Sequence, residues 1–119
     1  MNDMRLGAAE SHFAEIVWKN APLTTASLVK LCEAELHWKR TTTYTVLKRL
    51  SERGLFENRG GTVVALLSRE DYYSLYSENY VDDVFNGSLP AFLVAFTRRK
   101  KLSEEELDQL QQLIDESRR

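Results

Sequence analysis

Between residues 6 and 19 the apolar positions Leu6, Ala9, Phe13, Ile16 and Val17 recur at intervals of three and four, the spacing that lines one face of an α-helix. Asn20-Ala21-Pro22 should end that helix, because the residue before a proline is pushed out of the α region. Thr24 or Thr25 can then cap a second helix with Leu28, Leu31 and Cys32 on its inner side. The residues from His37 to Arg40 read as a short connection. A third helix is expected over 41–53, stopped by Gly54 at the position after the C-cap.

The period then changes from helical to two. Segments 55–59 and 62–67 read as short strands joined by Gly60-Gly61, and a type I′ turn needs positive φ at both linking residues. A helix over 71–85 follows, with Tyr72, Tyr73, Leu75, Tyr76, Tyr80, Val84 and Phe85 providing apolar surface. Asn86-Gly87 breaks it, and a short helix over 89–97 starts near Pro90. Ser103 and Glu106 form a capping box that opens a last helix bearing Leu107, Leu110, Leu113 and Ile114 on one face. No internal repeat, low-complexity run or flexible linker interrupts the chain. The predicted class is mainly α with a small β-hairpin. Three helices and a hairpin in residues 1–70 have the order of a winged helix-turn-helix, and residues 71–119 form a further helical region.

The third helix is the most informative. On a wheel of about 100° per residue, Val46, Leu47 and Leu50 fall on one side with the methyl of Thr43 beside them. The other side presents Thr41, Tyr44, Thr45 and Lys48, and Arg49 lies on the flank, where it can reach a backbone phosphate or pair with an acid. Hydroxyls and an ammonium suit base edges and phosphates, and threonine methyls can meet thymine methyls. An ordinary solvated face would look similar in isolation. The Gly54 stop and the Gly-Gly hairpin directly after it turn the reading towards a groove-binding helix.

Charge sharpens this picture. The net charge of -2 conceals a split: residues 1–70 carry 10 Lys/Arg against 8 Asp/Glu, a net of +2, and residues 71–119 carry 6 against 10, a net of -4. Within 39–53, Lys39, Arg40, Lys48, Arg49 and Arg53 are opposed only by Glu52. Local charge governs nucleic-acid contact more than the total does. The longest apolar runs, such as 91–96, are too short to span a bilayer. No apolar segment follows the polar start at 1–5, so neither export nor membrane insertion is expected and the compartment reads as cytoplasmic. A single cysteine, Cys32, gives no disulfide or thiol cluster, and reads as a small core residue. His12 and His37 have no neighbouring thiols, so neither metal nor cofactor is expected. No nucleophile triad, phosphate loop or metal signature points to an enzyme.

Several stretches together resemble the penicillinase-repressor family (BlaI/MecI, with CopY as a cousin). Trp38, Thr42 and Thr45, then Leu47-Lys48-Arg49-Leu50 and Arg53-Gly54-Leu55, are similar to its pattern of Trp, three residues, Thr, two residues, Thr, Leu-x-Arg-Leu and a late Lys/Arg-Gly. Leu6-Gly7-Ala8-Ala9-Glu10 with Ile16-Val17-Trp18 matches the opening helix, and Phe85-Asn86-Gly87-Ser88-Leu89 and Leu102-Ser103-Glu104-Glu105 match the C-terminal part. The resemblance implies a winged-helix repressor that binds double-stranded operator dyads as a homodimer through its C-terminal helices. In the resistance branch a membrane sensor-protease system cleaves the repressor, and the scissile bond maps to Ala95 and Phe96, with Ala95 where the family usually has Asn. The Cys-x-Cys pair of the copper-sensing branch is absent here. Glu10 matches a family glutamate and reads as a capping or ion-pair residue.

The candidate DNA contacts are therefore Lys39, Arg40, Thr41, Thr42, Tyr44, Thr45, Lys48, Arg49 and, at the wing, Arg59. Arg98-Arg99-Lys100-Lys101 reads first as a solvated charge run, and Trp18 and Trp38 as packing residues. The candidate dimer contacts are Tyr76, Tyr80, Phe85, Phe92, Phe96, Leu107, Leu110, Leu113 and Ile114. The competing reading is a winged-helix protein-interaction module that never touches DNA, which a buried 41–48 face or acidic surroundings would favour.

Overall fold

A computed structural model describes residues 5–119, so the polar start at 1–4, read as carrying no export signal, lies outside the described residues. Nine elements follow in chain order among these: α1 (Ala8–Asn20), β1 (Leu23–Thr24), α2 (Thr25–Leu36), α3 (Arg40–Glu52), β2 (Phe56–Arg59), β3 (Thr62–Ala65), α4 (Arg69–Phe85), α5 (Leu89–Thr97) and α6 (Glu104–Ser117). The fold is mostly helical with a small antiparallel sheet, as a winged helix requires.

Local chemistry sets most of the boundaries. Ala21 is extended ahead of Pro22 and closes α1. The Thr24 hydroxyl accepts from the Ser27 amide at the start of α2. His37 adopts a left-handed conformation at φ 58°, which stops α2 and leaves three residues before α3. Gly60 and Gly61 have φ of 59° and 95°, as the hairpin turn demands.

The sheet contains a strand that periodicity did not reveal. Its order is β1-β3-β2, with Leu23 opposite Val63 and Phe56 opposite Ala65. Two residues are too few to show alternation, so β1 is defined only by its partner. It also fastens the wing, since the Thr25 amide donates to the Gly61 carbonyl at 3.0 Å. The helix expected over 71–85 starts earlier, at Arg69, because the Ser68 hydroxyl accepts from the Asp71 amide and opens its first turn.

The chain divides into two compact units, Met1–Asn79 and Tyr80–Arg119, a division that falls inside α4. The sequence places the change of region at 70/71. The later boundary has a clear cause: Tyr72 is buried in the first unit's core, and Tyr76 packs on that core from α4. The core is built by Phe13, Ile16 and Val17 of α1, Leu28 and Cys32 of α2, Val46, Leu47 and Leu50 of α3, and Leu55, Phe56 and Val63 of the wing. Trp38 stacks on Phe13 with ring centroids 5.7 Å apart, and the Trp18 indole donates to the Leu67 carbonyl at 3.0 Å. Both tryptophans are packing residues. In the second unit, Tyr80, Phe85, Phe92 and Phe96 make a chain of ring contacts with centroids 5.5 to 6.2 Å apart. None of the residues of α5 or α6 is buried.

Candidate nucleic-acid interface

The interface is organised by what α3 hides. Thr43, Val46, Leu47 and Leu50 are buried, which turns Thr41, Thr42, Thr45, Lys48 and Arg49 outward, with Tyr44 half-buried between the two sides. Thr43 reaches back to the Lys39 carbonyl at 3.4 Å, so its hydroxyl is satisfied inside the core. Cys32 lies against the same threonine, and burial pushes its thiol above the ordinary value. It is a core group rather than a thiolate.

The outer residues fall into two classes. Lys39, Arg40 and Lys48 make no ion pair among the described residues. The Arg40 guanidinium sits 5.6 Å from the centre of the Tyr44 ring, a cation–π distance that holds it beside the helix start. The neighbouring Thr25 side chain lowers the Tyr44 phenol below its ordinary value, with Arg40 adding to the effect. The Thr45 hydroxyl donates to the Thr41 carbonyl at 2.8 Å. Its proton is thus committed, and what Thr45 offers outward is a methyl and an acceptor oxygen. That pair suits a thymine methyl or an exocyclic amine.

Two of the sequence-derived cations are already engaged. Arg49 Nη1 lies 3.1 Å from Glu10 Oε2, so of the two fates open to it, pairing with an acid is the one adopted. Glu10 also caps α1, its Oε1 accepting from the Gly7 amide at 3.1 Å. The backbone hydrogen bond from Gly7, with Arg49 beside it, holds the Glu10 carboxyl below its usual range. Arg59 Nε contacts Glu57 at 2.8 Å on the same strand. At the wing tip, the Asn58 side chain accepts from the Gly61 amide at 2.9 Å and tightens the turn.

Between α3 and the wing lies an open cleft of about 530 Å³, lined by Tyr44, Lys48, Ser51, Phe56, Asn58 and Leu66 among others. Ser51 and Asn58 were missed by the sequence reading. Ser51 stands one turn after Lys48, a spacing visible beforehand, whereas Asn58 reaches this place only through the hairpin. The Ser51 hydroxyl is shielded and has no hydrogen-bond partner among the described residues.

The remaining candidates lie in the second unit, Tyr76 apart. Phe92, Phe96, Leu110 and Leu113 border a shallow apolar groove of about 330 Å³ between α5 and α6. Ala95 and Phe96 sit in the last turn of α5, where the Ala95 carbonyl accepts from the Arg98 amide at 3.4 Å. Among the described residues, no three His, Cys, Asp or Glu side chains converge on a metal position, and no helix is long and apolar enough to cross a membrane.

The penicillinase repressor family model matches residues 6–116. The chain belongs to that family. It is similar to the penicillinase repressor of Bacillus licheniformis, at 26% identity over 94% of this chain and 91% of that one. It is also similar to the methicillin resistance regulatory protein MecI of Staphylococcus aureus, at 19% identity over 92% of this chain and 93% of the relative, and to MecI of Staphylococcus epidermidis, at 18% over the same shares. Membership makes the chain a DNA-binding transcriptional repressor and not an enzyme.

Proposed function

We propose that this repressor reads palindromic operators as a homodimer in the cytoplasm, with one α3 in the major groove of each half-site. The observation that carries this reading is the outward face of α3, where Thr41, Thr42, Tyr44 and Thr45 are flanked by Lys39, Arg40 and Lys48, which have no acidic partner among the described residues. Tyr44 and the threonines supply base-edge groups, and the three cations supply phosphate contacts on either side. The wing lies beside the duplex, where Arg59 can exchange Glu57 for a phosphate.

The second copy follows from the surface of the second unit. Val84, Val94, Leu113 and Ile114 remain 57%, 64%, 58% and 46% exposed in the single chain, an apolar surplus that a partner would cover. A symmetric pair of copies is the economical partner, and a two-fold dimer matches a dyad operator. Relief of repression by a membrane sensor-protease system, through cleavage between Ala95 and Phe96, completes the proposal. That bond is exposed but helical, so the last turn of α5 must unwind before it can enter a protease cleft.

Fluorescence anisotropy with labelled duplexes across a salt series, together with sedimentation of the protein alone and with DNA, tests this reading. Operator binding that weakens steeply with salt and saturates at two chains per dyad is expected. Absence of binding to any duplex would overturn it and favour a protein-interaction module. Mass spectrometry of the repressor from induced cells tests the cleavage, and finding only intact chains would remove it.

A further inference from the structure

We infer that Glu10 limits the sequence-independent DNA binding of this surface, because it occupies the Arg49 charge and keeps it from adding to the attraction for phosphate. The inference rests on the reading of α3 as the DNA-facing helix.

Arg49 follows Lys48 and stands one turn after Thr45, on the exposed flank of α3. From there a free guanidinium would find a backbone phosphate on almost any duplex. In this chain Nη1 is 3.1 Å from Glu10 Oε2. The carboxylate is held from the other side as well, since its Oε1 accepts from the Gly7 amide at the start of α1. Both oxygens are therefore committed, one to each helix. The Glu10 side chain is only 21% exposed and cannot swing outward with its partner, whereas Arg49 is 55% exposed. Arg53, a turn further along α3, also favours the Glu10 charge and donates to the Arg5 carbonyl at 3.0 Å. Two guanidiniums thus border one anchored carboxylate.

The consequence lies in background binding. Each phosphate neutralised contributes about 0.9 to the salt slope of binding to B-DNA, whatever the sequence. A free Arg49 would raise affinity for operator and random DNA together, adding only to the part of binding that is blind to sequence. A paired Arg49 leaves the threonine face to decide where the protein stays. Glu10 then restrains the background attraction for any duplex.

The full-length protein is titrated with a labelled random-sequence duplex between 50 and 200 mM salt, as wild type, Glu10→Gln, Arg49→Gln and the double variant. Glutamine retains an acceptor for the Gly7 amide, so α1 keeps its cap, and melting curves confirm the fold. Glu10→Gln should bind the random duplex roughly three- to fivefold tighter at 50 mM salt, with a slope steeper by about 0.9. Arg49→Gln alone should change random-duplex affinity by less than about twofold, and adding it to Glu10→Gln should abolish the gain. A Glu10→Gln variant that melts normally and binds no tighter overturns the inference. A gain that survives in the double variant also overturns it, because the effect would then be the loss of a negative charge near DNA. If Glu10→Gln does not fold, Arg49→Gln decides: a slope lower by about 0.9 than wild type overturns the inference. If wild type binds no duplex, the proposed function itself fails, a result distinct from all of these.

Discussion

In residues Met1–Asn79, Phe13, Leu50, Leu55, Phe56 and Val63 have no exposed surface, whereas in Tyr80–Arg119, Val84, Val94 and Leu113 each leave more than half of theirs open. Both units are rich in aliphatic and aromatic residues, so composition does not separate them. Geometry does. In the first unit three helices and a sheet approach one centre from different directions, and each apolar face finds the others. In the second, no residue of α5 or α6 is buried, so their apolar faces stay open. Apolar content therefore measures the need for a core and not its presence. The first unit meets that need alone, and the second is the natural place for association.

The comparison breaks most visibly at Leu50 and Leu113. Leu50→Ala leaves a cavity in a closed core and should cost about 2–5 kcal/mol of stability, read as an early thermal transition. Leu113→Ala should leave that transition nearly unchanged. If both variants melt alike, the two units do not differ as argued here.

Replacing both Leu110 and Leu113 with Asp should abolish association, since it buries unpaired charge at the cost of several kcal/mol in the proposed seam. Sedimentation should show monomers, and operator affinity should fall by at least about a hundredfold while the first unit keeps its melting transition. A wild-type protein that sediments as a monomer at micromolar concentration, with and without DNA, would contradict the dimer.

Smaller effects sharpen the DNA face. Lys48→Ala should weaken operator binding and lower the salt slope by about one, because this ammonium has no ion-pair partner among the described residues. Arg59→Ala should weaken it less, as its guanidinium already shares Glu57. Thr45→Ala should shift base preference more than affinity, which a binding-site selection would reveal.

The smallest effect concerns acid. Glu106 completes a capping box with Ser103, Glu10 accepts from the Gly7 amide at the start of α1, and these backbone hydrogen bonds hold both carboxyls below the usual value. A lowered folded value means that the charged form stabilises the fold above the ordinary carboxylate pKa. That contribution is lost as pH falls below 4.5 and through the folded value. Circular dichroism should show the ends of α1 and α6 fraying over this window, and Glu10→Gln with Glu106→Gln should flatten the profile.

Much of this was legible beforehand because it depends on local rules. The spacing of Val46, Leu47 and Leu50, the paired glycines of the hairpin, Asn86-Gly87 and the Ser103 box each act within a few residues. The outward face of α3 follows from its buried face, so Thr41, Thr45 and Lys48 could be named without coordinates. Other features depend on residues distant in sequence. β1 is a strand only because Val63 and Thr62 stand opposite it, and the pairing of Arg49 with Glu10 joins positions 39 residues apart. Tyr72 and Tyr76 carry the same pattern as Tyr80, but only the folded chain buries Tyr72 in the core of one unit, packs Tyr76 against that core and places Tyr80 in the other unit. Periodicity reports which face of an element is apolar, and that much the sequence determined. Which partner each face meets, and which charges are already engaged when DNA arrives, depends on long-range packing and was decided by the tertiary structure alone.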